Sequence, residues 1–200
     1  PTSLTLTRHN PDHAEETLGL WIAPNANQSA QVSALKSKIL KWSDQIRTRQ
    51  LSISLSWLFL TSGLTMALRY PLAATNLSKQ DCHHIMKPFL DIALPAMGLP
   101  RRMPHAVLFA PAAFMGYGLA DIWFQQAVDQ IQVCLDYGHR QDNDITGHLL
   151  RDVTESLRLE LGLPLSPLSY DYKKLHLCTT PTKLHVLWEF CSDNGFILKD

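Results

Sequence analysis

Between Val32 and Ile46 the apolar residues Val32, Leu35, Ile39, Trp42 and Ile46 recur in steps of three and four. That spacing puts them on one side of an α-helix over residues 30–50, whose apolar stripe must be covered by the rest of the fold. Leu51 to Tyr70 follows, apolar nearly all round, which predicts a central helix. Tyr70-Pro71 predicts its end, because proline lacks the amide donor and restrains the residue before it. Asn27 or Ser29 is placed to cap the first helix. Ser78 can cap a third, with Asp81 adding negative charge to the first turn. Its apolar face is Cys82, Ile85, Met86, Phe89, Leu90 and Ala93, and Pro88 is a candidate kink.

Further helices are expected over about 119–137, 145–161 and 182–193. Leu149, Leu150, Val153, Leu157 and Leu161 face inward in the second of these, and Asn194-Gly195 closes the third. "LPAMGLPRRMP" (94–104), dense in proline and glycine, reads as a loop and as the best place for a domain boundary. Short strands are expected at "SLTLT", at "TLGLWIAPN", at "HAVLFAP" (or an extended segment there) and at "FILKD". In "TLGLWIAPN", Leu18, Leu20 and Ile22 alternate on one side, and Gly19 within the strand marks a bulge or a close backbone approach. The expected fold is mainly α: an irregular bundle of about six helices with a few short β-strands. No fixed-period repeat points to a solenoid.

Lys+Arg and Asp+Glu both number 18, so the net charge is zero. Bulk charge therefore gives no reason to expect nucleic-acid binding, which would have to rest on a clustered face. Ser and Thr interrupt the most apolar segment, 51–68, so it falls short of the roughly 18 apolar residues of a membrane span. Cys82, Cys134, Cys178 and Cys191 are dispersed and form no CxxC pair, which fits reduced thiols in an intracellular protein (cytoplasm and nucleus). "PTSLTLTRHN" lacks a basic start and an apolar run, so no signal peptide is read, and a start at Pro1 suggests a piece of something longer.

Catalytic motifs are missing. No GxSxG, HExxH or GxxxxGK[ST] occurs, and "GYG" at 116–118 reads as a turn. His176, Cys178, His185 and Cys191 have zinc-type donors, but His176-x-Cys178 is tighter than a usual knuckle, and both cysteines suit small buried hydrophobes. In Cys82-His83-His84, neighbouring helical residues point about 100° apart and cannot share one face. Asp142-Asn143-Asp144 lacks the downstream glycine and glutamate of a calcium loop and suits a helix cap. No metal or other cofactor is expected on this chain.

What remains is a set of cations. Lys36, Lys38, Lys41, Arg47 and Arg49 stand against Asp44 on the first helix. Arg69, Lys79, Lys87 and Arg101-Arg102 follow, with Trp and Tyr interspersed. Such cations suit a phosphate backbone if they lie outward and unpaired. If Lys36, Lys41 and Arg47 pair with Asp44, Glu155 or Glu160, the face is structural, and a helical protein-interaction module without nucleic-acid binding is the better reading.

"TLGLWIAPN", "KWSDQIR", "YPLAATNLSKQDCHHIMKPFLDIALPAMG", "HAVLFAPAAFMGYGL" and "ITGHLLRDVTESLRLELGL" together resemble, in order and spacing, the region downstream of the active site in reverse transcriptases of non-LTR retrotransposons. The nearest likeness is to polyproteins of unicellular eukaryotes, and it covers most of the chain from about residue 12. The resemblance implies an end-of-palm strand region over 1–26, with Leu18, Gly19 and Trp21 in a primer-grip-like strand whose partner strands lie upstream. It implies thumb-like helices over 27–93 and a helical connection over 94–200. Lys36, Lys38, Lys41, Arg47, Arg49 and Arg69 would then face a template-primer duplex of RNA and DNA. The family's paired aspartates after an aromatic-Ala dipeptide are absent, so the implied role is the non-catalytic, holding part of an RNA-directed DNA polymerase. Magnesium would be bound in the palm of the parent polymerase, the chain's upstream partner.

Overall fold

A computed structural model describes residues 9–138, 144–179, 182 and 184–198. The chain is mainly helical, with one short two-stranded antiparallel sheet. It divides into two compact units, 1–122 and 123–200, so the Pro-rich stretch 94–104 lies inside the first unit.

The first unit opens with a hairpin, β1 (Glu15–Thr17) and β2 (Leu20–Ile22), in the register Glu15↔Ile22 and Thr17↔Leu20. This corrects the single-strand reading of "TLGLWIAPN". Leu18 and Gly19 both have positive φ (52° and 80°) and form the two-residue turn, whose twist suits a tight antiparallel pair. Gly19 is therefore a turn residue, not a bulge, and the partner strand is local. Leu18 and Ile22 are exposed, so the alternation marks no buried face. Trp21 N donates to the buried Gln31 Oε1 at 2.8 Å, tying the hairpin to the first helix.

That helix, α1 (Ser29–Arg49), turns Leu35, Ile39 and Ile46 inward, with Val32 and Trp42 half-buried. Asn27 Oδ1 accepts from Ser29 N at 2.9 Å, satisfying one of the amides left open at the helix start. α1 packs against α4 (Lys79–Ala96). α4 begins with a full capping box: Ser78 Oγ accepts from Asp81 N, and Asp81 Oδ2 accepts from Ser78 N. Cys82, Ile85, Met86, Phe89, Leu90, Ala93 and Leu94 form its buried face. α4 carries both Pro88 and Pro95 and runs three residues past the expected end. Gly98, with φ 77°, then stops it, and Leu99 N bonds back to Leu94 O.

The segment expected as one central helix is α2 (Ile53–Leu58), a π-helical stretch (Phe59–Leu64) and α3 (Thr65–Ala74) in sequence. It is one-sided rather than central. Ser56, Leu60, Leu64, Leu68 and Leu72 are buried at four-residue steps, while Ile53, Leu55, Leu58, Met66 and Tyr70 are exposed. In an α-helix a four-residue step overshoots one turn, so such a stripe drifts round the rod. The wider π turn offsets that drift and keeps the stripe on one side. α3 does not stop at Pro71 but continues to Ala74. Proline frees the carbonyl four residues back, and Lys38 Nζ donates to that carbonyl, Ala67 O, at 3.3 Å.

"HAVLFAP" is helical, not a strand: α5 (His105–Phe109), after which the chain folds back on itself. α6 (Ile122–Gly138) opens at the junction of the units. In the second unit, α7 (Ile145–Leu161) starts at Asp144, whose Oδ1 accepts from Thr146 N, so this aspartate caps a helix. Asp142 and Asn143 lie outside the described residues. Leu157 is buried and Leu150, Val153 and Leu161 are half-buried, but Leu149 is exposed. A short α8 (Tyr172–Leu175) and α9 (Leu184–Asn194) complete the unit around Leu157, Leu168 and Trp188. Trp188 is fully buried, and its Nε1 donates to Tyr170 O at 2.7 Å. Residues 196–198 are not a strand, and "SLTLT" lies outside the described residues.

Candidate nucleic-acid interface

Lys36, Lys38, Lys41, Arg47 and Arg49 all lie on the exposed side of α1. They do not line one groove. At about 100° per residue, Lys36 and Arg47 fall on one flank of the buried stripe, Lys38 and Arg49 on the other, and Lys41 on the back. Two of the five are engaged within the fold. Arg47 Nη2 holds Asp44 Oδ1 at 2.7 Å, and Lys38 serves the Ala67 carbonyl. Among the described residues Lys36, Lys41 and Arg49 form no ion pair, and Glu155 is bound instead by Arg158, at 2.5 Å. Arg69 is exposed on α3.

Leu18, Gly19 and Trp21, expected in a primer-grip-like strand, sit on the hairpin. Leu18 is at the tip, 84% exposed and with positive φ, a conformation uncommon for a residue with a side chain. Gly19 completes the turn, and Trp21 is half-buried. At the foot of the hairpin the His9 and His13 rings stack 4.4 Å apart and 12° from parallel, with His9 Nε2 3.6 Å from Glu15 Oε1. Stacked parallel rings cannot both aim an in-plane lone pair at one ion, so the three as arranged are a stacked pair beside a carboxylate.

The zinc-type residues of the second unit do not converge among the described residues. Thr182 N donates to His185 Nδ1 at 2.9 Å, which leaves the proton on Nε2, 2.6 Å from Thr179 Oγ1. His185 thus does what a glutamate does in a capping box, reaching back from the first turn of α9 to an open amide. Burial holds its basicity below the ordinary imidazole value. Cys191 is buried and its thiol pushed up to about 11, chiefly by that burial, while Cys178 is exposed. Cys82 is likewise pushed up to about 12 by burial, with Asp121 and Asp81 adding to it. Neither buried thiol is a nucleophile near neutrality.

A second cationic surface stands out only once the chain is folded. The His83 ring on α4 lies 5.4 Å from the His105 ring at the start of α5, and His105 in turn lies 5.4 Å from Phe109. This contact brings the exposed side of α4 beside the segment that carries Arg101 and Arg102. Nothing local in the sequence links residue 83 to residue 105. No protein-family model, curated protein or solved structure matches the chain.

Proposed function

We propose that the chain is the non-catalytic part of an RNA-directed DNA polymerase of a retroelement, following the palm, and that it holds a template-primer duplex through backbone phosphates. The observation that carries the reading is the set of cations on α1 that the fold leaves to solvent: Lys36, Lys41 and Arg49 are exposed and unpaired among the described residues. The resemblance of the ordered segments supplies the polymerase context. A helical protein-interaction module is the second reading. It is favoured by the spread of these cations around the rod and by the internal use of Lys38 and Arg47.

Retention of an RNA–DNA hybrid on the immobilised chain across a salt series separates the two. Three phosphate contacts give a log–log salt slope of about −2.7. Changing Lys36, Lys41 and Arg49 together to alanine removes that part of the slope. No retention at low salt, or a slope that the triple variant leaves unchanged, refutes the duplex-holding role and leaves the interaction module.

A further inference from the structure

Residues 92–120 contain no aspartate or glutamate, although acids make up 18 of the 200 residues. The same run carries Arg101, Arg102 and His105. On α4, Lys79, His83 and Lys87 follow at four-residue steps along one side, all exposed, and the His83–His105 contact sets that side against the start of α5. Among the described residues Lys79, Lys87, Arg101 and Arg102 form no ion pair. Asp91, one step beyond Lys87, ends this row, and Asp81 and Asp121 are the carboxylates near Cys82, the neighbour of His83.

Beyond the far end of α5 the chain makes a pinned turn. Gly116 N donates to Pro111 O, Tyr117 N to Val107 O, Gly118 N to Ala110 O and Leu119 N to Leu108 O, at 2.8–3.2 Å. Gly116 lies so close to the Ala110 carbonyl that no Cβ fits there. This bonding holds Phe114 and Met115 out from the fold, 79% and 93% exposed, with Met115 at φ 59°. An aromatic ring thus stands in solvent on a hydrogen-bonded turn that follows α5, the short helix whose start carries the cationic end.

We propose that this surface takes unpaired nucleic acid: Lys79, Lys87, Arg101 and Arg102 neutralise the phosphates of a single strand, and Phe114 stacks on one of its bases. The inference rests on the reading that the chain holds nucleic acid, and it adds the kind of strand. Duplex bases are already stacked on each other, so a protruding ring finds a free base face only where bases are splayed. The guanidinium fork of each arginine matches phosphate oxygens, and the acid-free run sets no like charge against them. An anionic lipid surface would attract the same cations but would offer the ring no base to stack on.

Fluorescence anisotropy of the whole chain with labelled oligo-uridine and oligo-thymidine, beside a blunt RNA–DNA hybrid of equal length, tests it. Phosphatidylserine vesicles form a third arm. Phe114→Ala is expected to weaken single-strand binding about 5- to 150-fold and to leave hybrid binding unchanged, while Phe114→Trp retains it. Arg101→Ala with Arg102→Ala is expected to reduce the single-strand salt slope by about 1.4. Single-strand binding indifferent to Phe114→Ala, an equal loss on both nucleic acids, or binding to vesicles alone overturns the proposal. Phe114-dependent single-strand binding without hybrid retention supports this surface while refuting the duplex-holding role; hybrid retention with no single-strand binding does the reverse.

Discussion

Replacing Trp42 by alanine, beside Lys41→Ala, probes the two faces of α1 with adjacent residues. Trp42 is half-buried, and its ring lies 5.1 Å from Phe59 at a 55° tilt. A fully buried tryptophan removes 150–250 Å² from water, so half is about 100 Å², or about 2.5 kcal/mol at 25 cal/mol per Å². The aromatic contact adds about 0.5–1.5 kcal/mol. Because the unfolded chain already hides part of that area, about 3 kcal/mol is the expected loss. Lys41 is exposed with no partner among the described residues, and its truncation should stay within about 0.5 kcal/mol. Urea unfolding followed by far-ultraviolet circular dichroism measures both. A loss below about 1 kcal/mol for Trp42→Ala, or a comparable loss for Lys41→Ala, would mean that α1 does not divide into a buried and a solvated face.

Gly116→Ala drives a methyl into the Ala110 carbonyl and should cost about 1–3 kcal/mol. The loss should show in hydrogen exchange at Tyr117, Gly118 and Leu119, whose amides make the fold-back bonds; unchanged protection there would refute the tight approach. His185 is held neutral in the folded state with its basicity lowered by burial, so the folded chain binds fewer protons than the unfolded one. Stability from this site is therefore complete above the unfolded imidazole value of about 6.5 and is lost as pH falls below it. Denaturant midpoints across that range should fall with pH, and His185→Gln should flatten the dependence.

How far the sequence reached depended on the range over which each feature is decided. α1, α4 and α7 were legible because an apolar period and a cap need only residues a turn apart: Leu35 and Ile39, Ser78 and Asp81, Asp144 and Thr146. The absence of any polymerase carboxylate motif is likewise a property of the string. The candidate site was legible as a list of cations and not as a surface. The Arg47–Asp44 pair, three residues apart on one helix, was within reach of the sequence, whereas the use of Lys38 depends on a carbonyl freed by a proline in another helix.

Proline illustrates the same divide. Pro71 read alone ends a helix, yet α3 passes through it, and the carbonyl it frees takes a donor 29 residues away in sequence. "HAVLFAP" has too few residues for its period to separate strand from helix, and its state followed from the turn that folds back onto its carbonyls. Sequence by itself determined which segments coil, where their caps lie and which residues are oily or charged, since those are short-range properties of adjacent side chains and amides. Only the tertiary structure decided that Lys38 serves the Ala67 carbonyl and that residue 83 adjoins residue 105, because each depends on a partner that no local window contains.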